Sequence, residues 1–332
     1  MKEEENMLSD NYKCIQGYEC LAGCLSNYFN YYNIDINESD IFLCGDGFNV
    51  EYSGDLQYLR IGTKAYEANG KFLKKYNIQC KQGFISDSIE AGKMAEYCIN
   101  TDVPLTVRVD TGRLSYHSVY HNLPSSPHWI NVIGGDESGY IVSDCAIPSL
   151  KRETIVTQVT KEELLSAWEA MMYEYVILSK EKLSEADRER IKNDSRDRLF
   201  KSFEEYIRPK KKWFSNTRQG INAVVSLLDD IAGYLWESRE ELDYIIREVN
   251  YQVKLKGIIS YRYVVKIKLM ELGVSDIYVK EFDEITDMWN NLFFKLLRAG
   301  MTGRGEELEK IRDEAYKIKG MEESNIGKIL YR

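Results

Sequence analysis

The chain of 332 residues contains no run of about 18 apolar residues, so no membrane-spanning helix is expected. The opening MKEEENMLSDNYK lacks a basic region followed by an apolar stretch, so no secretory leader is expected there. Positive charge is in deficit. Lys and Arg number 44 against 53 Asp and Glu, a net charge of −9, which argues against general nucleic-acid binding. The seven cysteines (Cys14, Cys20, Cys24, Cys44, Cys80, Cys98 and Cys145) are odd in number and lack paired CxxC spacing, against both a disulfide framework and a zinc site. Reduced thiols, with no leader and no span, give a cytoplasmic location as the expectation. Histidine is scarce, and no HExxH is present. His117 and His121 have the spacing of a helical metal pair, but Gly112 and Pro124 flank them and work against a long helix. Neither a metal nor a resident cofactor is expected.

What is present suits a folded protein: 44% of residues are hydrophobic and 12% aromatic. The length favours two domains. Apolar positions Leu21, Cys24, Leu25, Tyr28, Phe29 and Tyr32 step by three and four, predicting a helix that begins at Cys20 and ends around Asn33. FLCGDGF (Phe42 to Phe48) reads as a loop, and 55–76 and 87–100 as helices. Leu105, Val107 and Val109 alternate with polar neighbours, as in a half-buried strand. HWINVIGG (His128 to Gly135) and GYIVSD (Gly139 to Asp144) read as two strands about a Gly-rich turn. A helix over 161–172 and a strand in YEYVILSK complete this mixed half. From Ser184 on, helices follow one another, with capping-box-like starts at Ser184/Asp187 and Ser238/Glu241. A long helix from Ser275 is expected to end at Gly300. The expected fold class is α+β: a mixed domain over 1–183, then an all-α domain over 184–332 for substrate or partner binding or dimerisation.

Cys20 stands where an amphipathic helix begins, and the positive helix end favours a thiolate there. Position alone leaves two readings open, a nucleophile and a plain core cysteine. The following strands bear on the choice. A turn symmetric about Asp136 sets Val132 opposite Tyr140, Ile130 opposite Val142, and His128 opposite Asp144. Opposed side chains have Cβ atoms about 4.5–5.5 Å apart, within reach of an imidazole–carboxylate hydrogen bond. Cys20 as nucleophile, His128 as base and Asp144 as orienter then form a triad. Asp136 is better explained by turn chemistry. An oxyanion needs two donors. The Cys20 N–H is one candidate and Gln16 the other, a solvated loop glutamine being the plainer reading of the latter. His121 is either a substrate contact or a surface residue.

The segment from Cys20 to Tyr52, CLAGCLSNYFNYYNIDINESDIFLCGDGFNVEY, resembles the N-terminal domain of the butirosin biosynthesis protein H family, as do PLTVRVDTGRLSYH (Pro104 to His117) and HWINVIGGDESGYIVSDCAIP (His128 to Pro148). CLAGCL further resembles the active-site start of bacteriocin-processing cysteine peptidases attached to export transporters. In those the oxyanion glutamine stands six residues before the cysteine, a spacing that Gln16 does not match. The likeness implies a papain-like cysteine-peptidase-type domain. It also implies an acyltransferase of specialised, antibiotic-type biosynthesis, moving an acyl group from an acyl carrier protein thioester through Cys20 to an amine of a small metabolite. A phosphopantetheine-linked acyl donor would then be a substrate. Gly45 and Gly47 become substrate-binding candidates, although relatives are richer in glycine at this loop.

RPKKKW, with Arg208, Lys210, Lys211 and Lys212, is either a solvated helix end or a dock for an acidic carrier protein. The aromatic-rich helices of the second half supply core and, on another reading, a homo-oligomer face. Two alternatives to the transferase stay open: a papain-like hydrolase (peptidase or amidase) using the same triad, and a non-catalytic binding scaffold on this fold.

Overall fold

A computed structural model describes residues 11–48, 50–118, 121–122, 126–147, 153–180, 183–209, 217–255 and 257–331. Nine strands occur among them: β1 (Glu51–Tyr52), β2 (Ile61–Gly62), β3 (Cys80–Phe84), β4 (Leu105–Asp110), β5 (Pro127–Gly135), β6 (Tyr140–Asp144), β7 (Ile155–Val159), β8 (Glu174–Leu178) and β9 (Arg218–Gln219). The chain divides into two compact units, one of Met1–Ile41 with Asn69–Lys192 and one of Phe42–Ala68 with Asn193–Arg332. This differs from a cut at 183/184. The helix Glu185–Ile207 runs through that neighbourhood without a linker, and residues 42–68 belong to the helical unit through the short antiparallel ladder β2-β1-β9.

The first unit is built on a six-stranded antiparallel sheet in the order β3-β8-β4-β5-β6-β7. Leu105, Val107 and Val109 of β4 and Ile130 and Val132 of β5 alternate into one core with Trp168 and Tyr140. The helix Cys20–Tyr31 docks on β5: the Cys24 thiol donates to the Trp129 carbonyl at 3.3 Å, and Asn131 donates its amide N–H to the Cys24 carbonyl at 3.0 Å. Tight packing at its first turns explains two glycines. A Cβ on Gly23 would stand 2.8 Å from Cys145 Sγ, and one on Gly17 would stand 2.9 Å from Gly23 Cα.

Register departs from the symmetric turn. Gly135 pairs with Tyr140, but Asn131 pairs with Ser143, with an irregularity between Val132 and Gly134. Asp136 Oδ1 accepts from the Ser138 N–H, the Ser138 hydroxyl and the Gly139 N–H, which is turn chemistry as expected. The consequence is that His128 and Asp144 sit diagonally across the pair of strands.

Other boundaries shift too. A helix, Glu38–Cys44, takes the first three residues of the expected glycine loop, and the helix predicted over 55–76 is confined to Ala65–Lys75. Strands β3 and β7 have no counterpart in the sequence reading: three of five side chains in β3 are exposed, and none of its five is fully buried, so neither face carries a clear apolar pattern. In the second unit the helix Asp276–Thr302 continues past Gly300, which lies 3.0 Å (as a built Cβ) from Ile246, and ends at Gly303 in the left-handed conformation. That unit buries an Arg262–Glu322 pair, with Tyr206 and Trp289 donating to the same carboxylate.

Gly23→Ala is expected to destabilise the protein by about 1–3 kcal/mol, because the new methyl meets the Cys145 sulfur. Thermal or urea unfolding measures this, and adding Cys145→Ala should recover part of the loss. An additive double variant would contradict the packing account.

Candidate active site

The segment that presents Cys20 is fixed before the helix begins. Asn27 holds Ile15 by two hydrogen bonds, to its N–H at 2.6 Å and its carbonyl at 2.8 Å. The Gly17 N–H donates to the Cys145 carbonyl at 2.7 Å. The buried carboxylate of Glu38 accepts from the Tyr18 N–H at 3.0 Å and the Glu19 N–H at 2.5 Å. Glu19 then caps the helix, accepting from the Ala22 N–H at 2.6 Å. Strand β5 brings His128 to the start of this helix, where its imidazole and the Cys20 thiol influence one another electrostatically, while the thiol donates to Glu19 Oε1 at 3.8 Å.

Asp144, fully buried at the end of β6, accepts from His128 Nε2 through Oδ1 at 2.9 Å. Through Oδ2 it meets His117 Nε2, also at 2.9 Å. The Tyr116 hydroxyl at 3.3 Å and the Ala146 N–H at 3.1 Å add two further donors. The structure thus brings together Cys20, His128 and Asp144, the three side chains the sequence singled out, and adds His117 beyond them. Diagonal neighbours across antiparallel strands are within reach of long side chains, which is why the bulge does not separate the pair. His117, His128 and Asp144 offer three ligating atoms within 4.8 Å of one another. Each His–Asp contact has hydrogen-bond length, and we read the group as a proton-bridged array.

Charge follows from this geometry. Burial by itself would raise the Asp144 carboxyl, but His128 and the bond from His117 outweigh it and hold it well below the usual carboxylate range. Burial works to lower His128, yet Asp144, and then Cys20, push it well above the ordinary imidazole value. The Cys20 thiol is raised, by burial first and by the adjacent Glu19 carboxyl second, against the bonds from His128 and the Trp129 backbone. A helix-start position was expected to lower it; desolvation and Glu19 reverse that. Together the directions describe a protonated thiol beside a strengthened imidazole base.

The remaining candidates fall elsewhere. Gln16 is exposed on the loop before the helix, and His121 is exposed. Gly45 and Gly47 have packing reasons to be glycine: a Cβ would stand 2.1 Å from the Ala68 carbonyl oxygen in the first case and 2.5 Å from the Phe42 ring in the second. Arg208 lies over the Tyr331 ring at 5.5 Å, while Lys210, Lys211 and Lys212 lie outside the described residues. Sequence reasoning missed Glu19, Glu38, Asn69 and His117. Glu19 carried a signal, an acidic side chain in the cap position directly before the thiol; Glu38 and Asn69 carried none. A cavity of about 240 Å³ lined by Phe29, Tyr32, Tyr76 and Arg190, among others, lies at the far end of the same helix and includes none of the triad.

The helix-borne thiol facing a sheet-borne imidazole–carboxylate pair is the arrangement of a papain-like cysteine enzyme. A family model described as butirosin biosynthesis protein H, N-terminal, matches residues 19–145, and the chain resembles that family over this stretch. Among solved structures, a protein described as a C39-like peptidase from Bacillus anthracis aligns at 14% identity with a TM-score of 0.35, over 53% of this chain and 98% of its own. No curated protein matches the chain. No helix among the described residues is long and apolar enough to cross a membrane.

Because the folded Asp144 carboxyl titrates below its unfolded value, its stabilising contribution is present above about pH 4 and is lost as pH falls toward the folded value. Asp144→Asn is therefore expected to cost on the order of 2 kcal/mol at pH 7, with the gap to wild type narrowing below about pH 4. Urea unfolding of both proteins across this range measures it, and a gap independent of pH would contradict the assignment.

Proposed function

We propose that this protein is an acyltransferase in which Cys20 is the nucleophile, His128 moves the protons and Asp144 holds and charges His128. The observation that carries the reading is the buried His128–Asp144 hydrogen bond at 2.9 Å, with the His128 imidazole acting electrostatically on the Cys20 thiol at the helix start. His128 takes the thiol proton as Cys20 attacks a thioester carbonyl. The C–S bond to the incoming sulfur forms, the donor thiolate leaves, and the imidazolium returns the proton to it. An amine then attacks the acyl-enzyme and the Cys20 sulfur leaves. The Cys20 N–H, the first of the helix, faces the developing oxyanion in this scheme. The N–H groups of Tyr18, Glu19 and Ala22 already bind carboxylates, so the second donor comes from another group, for which Gln16 stays the candidate.

The likeness to the butirosin family over 19–145 favours transfer to an amine of a small metabolite, with a carrier-protein thioester as the phosphopantetheine-linked donor. On that reading Arg208 and the lysines that follow it would meet the acidic carrier. Hydrolysis, by a peptidase or amidase, is the same chemistry with water in place of the amine.

Incubation with short acyl-carrier thioesters should leave one acyl mass adduct that maps to Cys20 and is absent in Cys20→Ser. His128→Ala should slow both adduct formation and iodoacetamide labelling of Cys20 by about 100-fold or more. Adducts from peptides but never from thioesters would replace the transferase by a hydrolase, and labelling insensitive to His128 would remove the enzyme reading.

A further inference from the structure

Asp144 binds two imidazoles, and the triad uses only one of them. The side chains of His117 and Asp144 are both wholly buried, and His117 Nε2 lies 2.9 Å from Asp144 Oδ2. His128 Nε2 lies 2.9 Å from the other oxygen. An ionised carboxylate only accepts hydrogen bonds, so each Nε2 carries its hydrogen and donates it to Asp144. The two rings stand edge to face, 81° apart with centroids at 5.4 Å, each bound to its own oxygen.

A short stretch of chain builds the approach of His117. Leu114 is buried in the core of the sheet, and the Ser115 N–H donates to the Glu163 carboxylate at 2.6 Å. The His117 N–H donates to the Leu114 carbonyl at 3.1 Å, and the His121 N–H closes on the His117 carbonyl at 2.7 Å. The Tyr116 ring packs on the His117 ring with centroids 4.8 Å apart. The imidazole is therefore held by a segment that carries no member of the triad.

The donors at Asp144 are shared evenly between its oxygens. Oδ1 accepts from His128 and from the Ala146 N–H at 3.1 Å; Oδ2 accepts from His117 and, over a longer 3.3 Å, from the Tyr116 hydroxyl. Without His117, Oδ2 would keep one long bond in a site closed to water. A buried oxygen left short of donors is costly, and the carboxylate would gain by turning about its Cβ–Cγ bond, which takes Oδ1 off His128. We propose that His117 is a positioning residue for acyl transfer: its Nε2–H holds Oδ2, which keeps Oδ1 on His128 and so fixes the ring that must deprotonate Cys20. Wholly buried, it acts through Asp144 and does not meet a substrate. The inference rests on the reading of Cys20 and His128 as nucleophile and base, and adds a fourth side chain to the triad.

Two substitutions separate this role from the filling of space. His117→Gln brings an amide N–H to the place of Nε2, whereas His117→Leu fills the site without a donor. Iodoacetamide labelling of Cys20, mapped by peptide mass, should slow by about tenfold or more in His117→Leu and recover most of the wild-type rate in His117→Gln. A leucine variant that labels like wild type would reduce His117 to packing and overturn the proposal, as would a glutamine variant no faster than the leucine one. NMR of protein carrying a nitrogen isotope label at histidine reads the imidazoles directly, since the chain has three. His117 and His128 should each give a low-field, slowly exchanging Nε2–H resonance, because the carboxylate deshields the proton and burial protects it. In His117→Gln one resonance should vanish while that of His128 stays; in His117→Leu that of His128 should shift or broaden, and an unmoved one would overturn the role. Should the leucine variant fail to fold, absence of the His117 resonance from the wild type, or a glutamine variant that labels as slowly as His128→Ala, overturns the proposal. If His128→Ala leaves labelling unchanged, the nucleophile–base reading fails by itself, and the His128 resonance still decides whether His117 holds Asp144 in place.

Discussion

A carboxylate taken wholly out of water must be satisfied on every side or it will not stay ionised, and Asp144 is that group here. Two imidazoles, a phenol and a backbone N–H converge on its two oxygens. The donors come from three stretches of chain, so the charge draws together the end of β6, the start of β5 and the turn that carries Tyr116 and His117. The orientation of His128 follows from this. With Nε2 committed to Asp144, the other ring nitrogen is the one available to Cys20, and the tautomer is set by the partner rather than left free. His117 acts through Asp144 and not on the thiol. Its place in the array is to keep the carboxylate loaded and immobile.

The thiol is held with comparable redundancy but by a different means. Besides the thiol's own contact with Glu19, the backbone ahead of the sulfur is fastened. Asn27 reaches back to Ile15, Glu38 takes the N–H groups of Tyr18 and Glu19, and Gly17 bonds to the Cys145 carbonyl. Glycines at 17 and 23 let this segment lie against the Cys145 sulfur without a clash. These contacts are distributed over thirteen residues of chain, from Ile15 to Asn27, and together they fix where the sulfur sits. The helix start is thus a rigid platform whose position is set mainly by buried polar groups.

Much of this was legible in the sequence, and the reasons differ by residue. Cys20 was readable because a thiol at the first turn of a strongly periodic helix is locally encoded. His128 and Asp144 were readable because two strands about a turn are also local, although their register was not. A bulge between Val132 and Gly134 leaves no pattern that an alternation of apolar residues can reveal, and the pairing survives only because long side chains reach diagonally. Glu38 and Asn69 were beyond reach, since both come from other helices and their roles depend on tertiary approach. Strand β3 was missed because three of its five residues are exposed and none is buried, and β7 because its exposed Val156 breaks the apolar–polar alternation that its burial follows. The sign of the Cys20 shift was misread for a related cause: the helix dipole is visible in a sequence, whereas desolvation and a turned carboxylate are not.

Charge at the sulfur, finally, separates two ways of running this chemistry. A thiolate maintained at rest favours rapid acylation by any electrophile, which suits a broad hydrolase. Burial and Glu19 here act against that state, while Asp144 strengthens the base that must create it. Burial and Glu19 thus set the state of the thiol, and Asp144 sets the basicity of the imidazole beside it.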